Sequence, residues 1–246
     1  MQSIRQAIIC ITTIFFCNGI SLNAQPASFT NAFNDRKAKA LAELKKHSSP
    51  DTARVNALLK VLYTATFMKE RAELEPYRVE AMELSRRLDY RRGMAECYGY
   101  AGSYYKSNSD YPSAIKYYDS ALYIIGDAGD PHLTEMRSLI YQRKGMIYQF
   151  QENYYPALNN FFASLKSTND EPRIIRLNIF ITEIYGLLNN LDKAYEYARR
   201  NIDIIERNPE PANTPASVYL SAINIFLDKN KLDSASLYLD KLVPYV

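Results

Sequence analysis

The stretch that decides the fold occurs twice in the middle of the chain. Its first copy reads Tyr98-x-x-Ala101-Gly102-x-x-Tyr105, then Asp110-Tyr111-x-x-Ala114-x-x-x-Tyr118-x-x-Ala121-Leu122. Its second copy reads Tyr141-x-x-Lys144-Gly145-x-x-Tyr148, then Asn153-Tyr154-x-x-Ala157-x-x-x-Phe161-x-x-Ser164-Leu165. Self-similarity at a period of tens of residues is typical of a stacked solenoid. It predicts an extended surface for holding another molecule rather than a single pocket for chemistry.

Each copy reads as two helices, because its apolar and small residues recur three or four positions apart. Gly102 and Gly145 stand at the same register, and a glycine inside a helix costs about 1 kcal/mol relative to alanine. We therefore expect a partner helix to approach closely at both positions. Asp110, Asn153 and, earlier in the chain, Ser49 carry side chains that cap helix N-termini, so they predict where helices begin.

The segments Ala95 to Ile125 and Ser138 to Lys166 resemble tetratricopeptide repeats, a family whose unit is two antiparallel helices. The resemblance implies small residues at three fixed positions of each unit and aromatic residues at others. Tyr98 and Tyr141 stand where the family usually has Trp, and the chain contains none. Across these and weaker flanking copies, the repeat positions are occupied by Tyr98, Gly102, Tyr105, Ala114, Tyr118, Ala121, Gly145, Tyr148, Ala157, Phe161, Ala194 and Ala235.

The sequence thus predicts an all-α protein, a right-handed α-α superhelical solenoid of about five such helix pairs. Before the repeats, a lead-in over 25–50 contains a short amphipathic helix from Phe33 to His47, which we expect to cap the first repeat. The central alanines of successive repeats lie further apart than the family's usual ~34 residues, which predicts longer loops. The repeats are predicted at approximately 51–90, 94–127, 134–168, 172–207 and 214–246.

The first residues have the pattern of a secretory signal peptide over 1–24. Arg5 precedes a mostly apolar run from Ala7 to Ile20, and Ala24 offers a small residue for cleavage before Gln25. The run is shorter than the ~20 residues that a membrane-spanning helix needs. We therefore predict a periplasmic or otherwise extracytoplasmic protein of bacterial type, with an N-terminal membrane anchor as the alternative.

Composition gives little support for catalysis or nucleic-acid binding. The net charge of +3 is too small for a nucleic-acid footprint. Cleavage would leave Cys97 as the only cysteine, so we expect no disulfide and a buried thiol. His47 and His132 stand far apart and in no metal-binding spacing. We predict no enzyme activity, no catalytic or metal-binding residue and no cofactor.

The resemblance implies that a ligand lies on the inner, concave face formed by the first helix of each pair. The residues placed on that face are Tyr63, Phe67, Ser103, Lys106, Gln142, Met146, Gln149, Ile179, Glu183 and Asn224. Leu59 and Tyr63 stand where some members carry the Lys and Asn that clamp a peptide carboxy terminus, so that clamp is not predicted. Apolar and amide side chains favour an extended or helical peptide. The alternative for each residue is packing between neighbouring helices.

Three functions remain open at this point. The first is a free-standing exported scaffold that binds a protein or peptide. The second is the sensor portion of a longer signalling protein, a histidine kinase or transcriptional regulator, whose membrane span would follow Val246. The third is an enzyme built on a helical frame, for which Glu183 is the one inner-face carboxylate. The last helix is apolar on more than one stripe, which predicts contact with a partner or self-association.

Overall fold

The computed structural model describes residues 27–64, 72–127, 129–207 and 214–245, and within these ranges the chain forms helices and no strand. The signal peptide predicted for 1–24 lies outside the described residues. None of the helices in these ranges has the length and apolar character that crossing a membrane requires. The helices are α1 (Ala27–Lys46), α2 (Thr52–Thr64), α3 (Glu75–Arg87), α4 (Arg91–Ser107), α5 (Tyr111–Ile125), α6 (Pro131–Phe150), α7 (Tyr154–Leu165), α8 (Glu171–Leu187), α9 (Leu191–Arg207), α10 (Thr214–Asp228) and α11 (Leu232–Leu242).

These helices pack in succession as a solenoid. The pairs are α2 with α3, α4 with α5, α6 with α7, α8 with α9, and α10 with α11, and each pair also packs on the next. The first helices touch as well, α2 with α4, α4 with α6, and α8 with α10. Helix α1 packs on α2 and buries Ala40 and Leu44. The all-α solenoid expected from the sequence is confirmed.

One turn geometry closes four of the five pairs. In each turn a residue adopts a φ between 54° and 61°, and the next N–H donates to a carbonyl five residues earlier. This is the Schellman ending of a helix, which satisfies carbonyls left free at its last turn. Because the turn is the same each time, the two helices of each pair leave it in the same relative direction. The residues with positive φ are Ser109, Glu152, Asn189 and Asn230.

The residues that cap the helix N-termini differ in part from those predicted. Asp110 caps α5 as predicted, accepting a hydrogen bond from the Ser113 N–H at 3.1 Å. Asn153 makes no side-chain capping bond, so that part of the prediction was wrong. Ser49 was also the wrong cap: Asp51 stands directly before α2 and accepts from the Arg54 N–H at 2.9 Å, since a carboxylate also suits the positive end of the helix dipole.

Three helices start earlier than expected. Helix α1 begins at Ala27 rather than Phe33, and α4 and α6 begin three residues before the predicted repeat starts. For α6 the reason is Asp130, whose carboxylate accepts from the Leu133 N–H at 3.0 Å and sets the first turn. The neighbouring Pro131 fits that turn, where its missing N–H costs nothing.

The two glycines of the central repeats stand against aromatic rings. A Cβ atom added at Gly102 would lie 2.5 Å from the Tyr118 ring, and one at Gly145 would lie 2.5 Å from the Phe161 ring. Both rings are fully buried, as are Ala114, Ala121, Ala157 and Ala194, and Ala235 is buried too. The backbone of the first helix therefore lies directly on an aromatic side chain of the second.

The fourth pair is held in a different way. Buried Asn178 of α8 donates to Asn201 Oδ1 of α9 at 2.8 Å, and Asn201 donates back to the Ile175 carbonyl at 2.9 Å. In the third pair, Ser164 Oγ donates to the Ser138 carbonyl at 2.8 Å. Each of these four buried side chains thus has a hydrogen-bond partner, so the contacts fix helix spacing without leaving one of the four unsatisfied.

The glycine contacts predict a stability difference between matched substitutions. Gly102→Ala should destabilise the protein by about 1–3 kcal/mol, because the new methyl group overlaps the Tyr118 ring. Gly186→Ala is the control, since its Cβ would meet only Ile225 Cδ1 at an ordinary 3.4 Å. The control should be neutral or stabilising by up to about 1 kcal/mol. Urea unfolding measures both, and equal free energies of unfolding for the two variants would contradict the close approach.

Candidate functional site

The inner face consists of the exposed sides of α2, α4, α6, α8 and α10, the first helices of the pairs. All but one of the residues predicted to line it lie on these helices, and the exception, Phe67, lies outside the described residues. Tyr63, Glu183 and Asn224 are exposed. The half-buried members are Lys106, Met146, Gln149 and Ile179.

Two predicted inner-face residues are buried between helices, and for them the packing alternative is the observed one. Ser103 Oγ accepts a hydrogen bond from Arg143 Nη1 at 2.7 Å, and Gln142 Oε1 accepts from Arg173 Nη1 at 3.2 Å. Each arginine reaches from the next first helix along the solenoid. Ser103 and Gln142 therefore tie neighbouring repeats together and offer little surface to a ligand.

Gln149 and Glu183 are brought together across α6 and α8. Gln149 Nε2 donates to Glu183 Oε2 at 3.2 Å. The pKa of the Glu183 carboxyl is raised, because the surrounding helices displace water from it, and the hydrogen bond from Gln149 opposes this shift only in part. A side chain that is exposed yet poorly solvated is what a concave surface produces.

Tyr63 is the clearest case of that environment. Its side chain is 49% exposed, while burial around its hydroxyl raises the pKa to about 12, with the Glu96 carboxylate adding to the shift by its charge and a hydrogen bond. The hydroxyl is therefore poorly hydrated, although about half of the residue is exposed.

Glu96 is a charged residue that the sequence reading missed. Only 4% of it is exposed. Its Oε1 accepts from Arg92 Nε at 2.9 Å and lies 2.8 Å from His132 Nε2 on α6. The sequence spacing could have indicated Glu96, because it stands two helical turns before Ser103 and so lies on the same face of α4. His132 thus pairs with a carboxylate across two repeats. Among the described residues, no group of three or more His, Cys, Asp or Glu could hold a metal ion.

Arg143 was also missed, because it stands one position away from the residues predicted for the inner face of α6. Its guanidinium crosses to α4, where it meets Ser103 and lies close enough to Lys106 to influence it. The pKa of Lys106 is lowered, first by burial and then by the positive charge of Arg143.

A second concavity lies between α3, α4 and α5. It is a cavity of about 320 Å³ whose walls are mainly tyrosine rings. Tyr105 and Tyr117 stack there at 5.1 Å and 9°, and an ion pair of Arg78 with Glu75 stands at its edge, with Nε 2.9 Å from Oε2. The Glu75 carboxylate, which lines this cavity, is already paired with Arg78.

Comparison with known proteins supports the fold. No family model matches the chain. Over 110 residues, 44% of the chain, it is 28% identical to photosystem I assembly protein Ycf3 of Rippkaea orientalis (strain PCC 8801 / RF-1). The match spans 62% of that relative's length. The crystal structure of BtubC (BKLC) from P. vanneervenii superposes with a TM-score of 0.73 at 14% identity, covering 87% of this chain and 91% of that one.

These findings support a helical repeat of the tetratricopeptide-like kind. The BtubC likeness covers nearly the whole solenoid and shows the fold, and the 110-residue match to Ycf3 adds a sequence relationship. Where the ligand binds is a separate question, which the geometry of the inner face addresses.

Cys97 is predicted to be chemically inert in the folded protein. It is completely buried, and burial raises its pKa to about 12, whereas an unfolded thiol ionises near ~8.5. Alkylation by iodoacetamide between pH 8 and 10 should leave Cys97 largely unmodified in buffer and modify it fully in urea, because the thiolate is the reactive form. Peptide mass spectrometry provides the measurement. Rapid labelling of the native protein would show that the helix around Cys97 is more open than described.

Proposed function

We propose that this protein binds a protein or peptide segment on its inner face and carries out no catalysis. The observation that carries this proposal is that α6 and α8 combine apolar surface with a fixed polar contact. Half-buried Met146 and Ile179 present apolar surface, and the Gln149–Glu183 hydrogen bond stands beside them. Apolar side chains flanked by a few fixed polar groups suit recognition of a peptide.

Rigidity adds to the argument. The first helices are tied to one another by the arginine contacts to Ser103 and Gln142. A surface fixed in advance loses less conformational entropy when a ligand binds, so more of the contact energy appears as affinity. The relative named as an assembly protein supports the same class of function, a scaffold that acts by contacting other proteins.

An enzyme on this frame is the weaker candidate. A glycoside hydrolase, for example, needs two carboxyl groups facing each other across the substrate. Glu183 accepts a hydrogen bond from the amide of Gln149 on the neighbouring helix, and Glu96 is paired with Arg92 and His132. The raised pKa of Glu183 follows from its concave surroundings and does not require a catalytic role.

We further propose that the protein is exported and acts outside the cytoplasm. The support is the charged start, apolar run and small residue before Gln25. A free-standing scaffold and the sensor portion of a longer signalling protein share this feature and the same inner face. They differ in whether a membrane span and an output domain belong to the native polypeptide.

Peptide selection tests the binding surface. Random peptides enriched on the wild-type protein should bind at least tenfold more weakly to Met146→Arg and Ile179→Arg, because each change places a charge on the apolar part of the inner face. Tyr123→Arg is the control, since Tyr123 is 85% exposed on the second helix α5. It makes the same kind of change away from the inner face and should retain binding. An equal loss with Tyr123→Arg, or none with either inner variant, would count against the inner face.

Fractionation of the cells that produce the protein tests whether it is exported. Mass spectrometry of the native protein should give a species that begins at Gln25 in an extracytoplasmic fraction. A soluble form ending at Val246 would favour the free-standing scaffold, whereas a heavier membrane-associated form would favour the sensor. A species that retains Met1 and stays in the cytoplasm would refute export.

A further inference from the structure

The tyrosine-lined cavity between α3, α4 and α5 is separate from the inner face. Its volume of about 320 Å³ falls at the lower end of the ~300–1,000 Å³ that small-molecule sites occupy. None of the described residues predicted for the inner face lines it, and two of its helices, α3 and α5, are the second helices of their pairs. We name this place the tyrosine cavity. It offers room for a small group away from the surface proposed to bind a peptide.

The walls of the tyrosine cavity are flat aromatic surfaces in two orientations. Tyr105 and Tyr117 are nearly parallel, whereas Tyr104 stands at 83° to Tyr105 with ring centroids 5.3 Å apart. All three residues are half-buried, so packing holds the rings while part of each stays accessible. The face of an aromatic ring carries partial negative charge and attracts the slightly positive C–H groups of a ligand. The walls therefore suit a ligand that has a flat face of C–H groups.

One ion pair supplies the polar part of the tyrosine cavity. Arg78 donates from Nε to Glu75 Oε2 at 2.9 Å and from Nη2 to Glu75 Oε1, so the two side chains form a bidentate pair on α3. A guanidinium has further N–H donors beyond these, and each carboxylate oxygen has a second lone pair. The pair can thus donate to a ligand hydroxyl and accept from one while it keeps its own contacts.

The charges of the pair narrow the class of ligand. A cation would be attracted by the tyrosine faces but would meet Arg78 beside them, and an anion would meet Glu75. A wholly apolar ligand would cover the pair without forming a hydrogen bond to it, which costs free energy. A neutral ligand with both C–H faces and hydroxyl groups avoids all of these penalties. Sugar rings have this combination, because their C–H bonds gather on the ring faces and their hydroxyls lie along the rim.

We propose that the tyrosine cavity binds a neutral sugar unit of a carbohydrate, with a ring face against the tyrosines and hydroxyls hydrogen-bonded to Glu75 and Arg78. A cavity of this volume has room for about one or two sugar rings. A proline-rich peptide would also pack on tyrosines, but its rings carry no hydroxyl for the ion pair. The site is independent of peptide binding on the inner face and adds a second class of ligand.

The test applies the full chain to a microarray of neutral and acidic oligosaccharides, on which octaproline is printed as the peptide probe. The wild-type protein should be retained on neutral oligosaccharides and not on octaproline. Saturation-transfer NMR with the best-retained neutral oligosaccharide should show the strongest transfer to the C–H protons of one or two adjacent rings, because those protons would lie against the tyrosines.

Two variants locate the contact. Tyr104→Ala removes one wall and should weaken retention about five- to tenfold. Glu75→Gln should weaken it to a similar extent, about fivefold, because a carboxylate accepts a stronger hydrogen bond than an amide. The matched controls are Tyr123→Ala on α5 and Glu83→Gln on α3, both at exposed positions outside the cavity, and they should retain wild-type binding.

Folding of the variants is verified by circular dichroism and thermal melts. The Glu75 side chain is 56% exposed, so Glu75→Gln carries the test even if Tyr104→Ala does not fold. Met146→Arg, which tests the inner face, should leave retention on neutral oligosaccharides unchanged. The two proposals can therefore fail separately.

Each other outcome would overturn the carbohydrate site. These outcomes are no retention on any neutral oligosaccharide, retention on acidic oligosaccharides alone, and equal retention by the wild type and both cavity variants. Retention on octaproline alone would assign the tyrosine cavity to a proline-rich peptide instead. Loss of binding with Met146→Arg but not with Glu75→Gln would place the carbohydrate on the inner face.

Discussion

The architecture depends on the contact between a helix backbone and a buried aromatic ring in the two central repeats. At Gly102 and Gly145 the first helix has no side chain, and Tyr118 and Phe161 of the second helix fill that space. The glycine costs about 1 kcal/mol of helix propensity, but the approach it permits buries a whole ring, and full burial of a Phe-sized side chain contributes about 1.5–3 kcal/mol. The alanines on either side keep the helices at this distance. Because close-packed interiors transmit strain, this contact sets where α4 and α6 lie.

The position of the first helices in turn creates the inner face. Helices α4, α6 and α8 stand near enough for arginine and glutamine side chains to bridge them, as Arg143, Arg173 and Gln149 do. In a solenoid each repeat contacts only its neighbours, so such bridges are the means by which adjacent repeats keep a common curvature. Glu96 joins the same two helices, α4 and α6, through His132, and it also interacts with Tyr63 of α2. The polar groups that join neighbouring repeats therefore also border the face proposed to bind a ligand.

Local sequence patterns were sufficient to predict the fold, but they were insufficient to predict which residues are accessible on the inner face. The spacing of Gly102, Ala114 and Ala121 encodes one helix pair, and periodicity reports such short-range packing well. Asp110 and Asn153 follow the same Schellman turn, yet only the Asp110 side chain caps its helix, so the sequence motif alone did not determine capping. Ser103 was misjudged because its burial depends on an arginine forty residues later. Arg143 was missed for the same reason: a long side chain reaches another helix from a register position that does not itself face inward.

The titratable residues of the inner face share poorly hydrated surroundings. Tyr63, Lys106 and Glu183 keep contact with solvent, yet the pKa of each is shifted because neighbouring helices displace water around the charge. In such surroundings electrostatic attraction is stronger than on a convex surface, and a ligand charge of the right sign is selected against others. Tyr63 lies on α2, Lys106 on α4 and Glu183 on α8. A ligand that contacts all three must therefore extend across the repeats, and an extended peptide does so through groups spaced along its length.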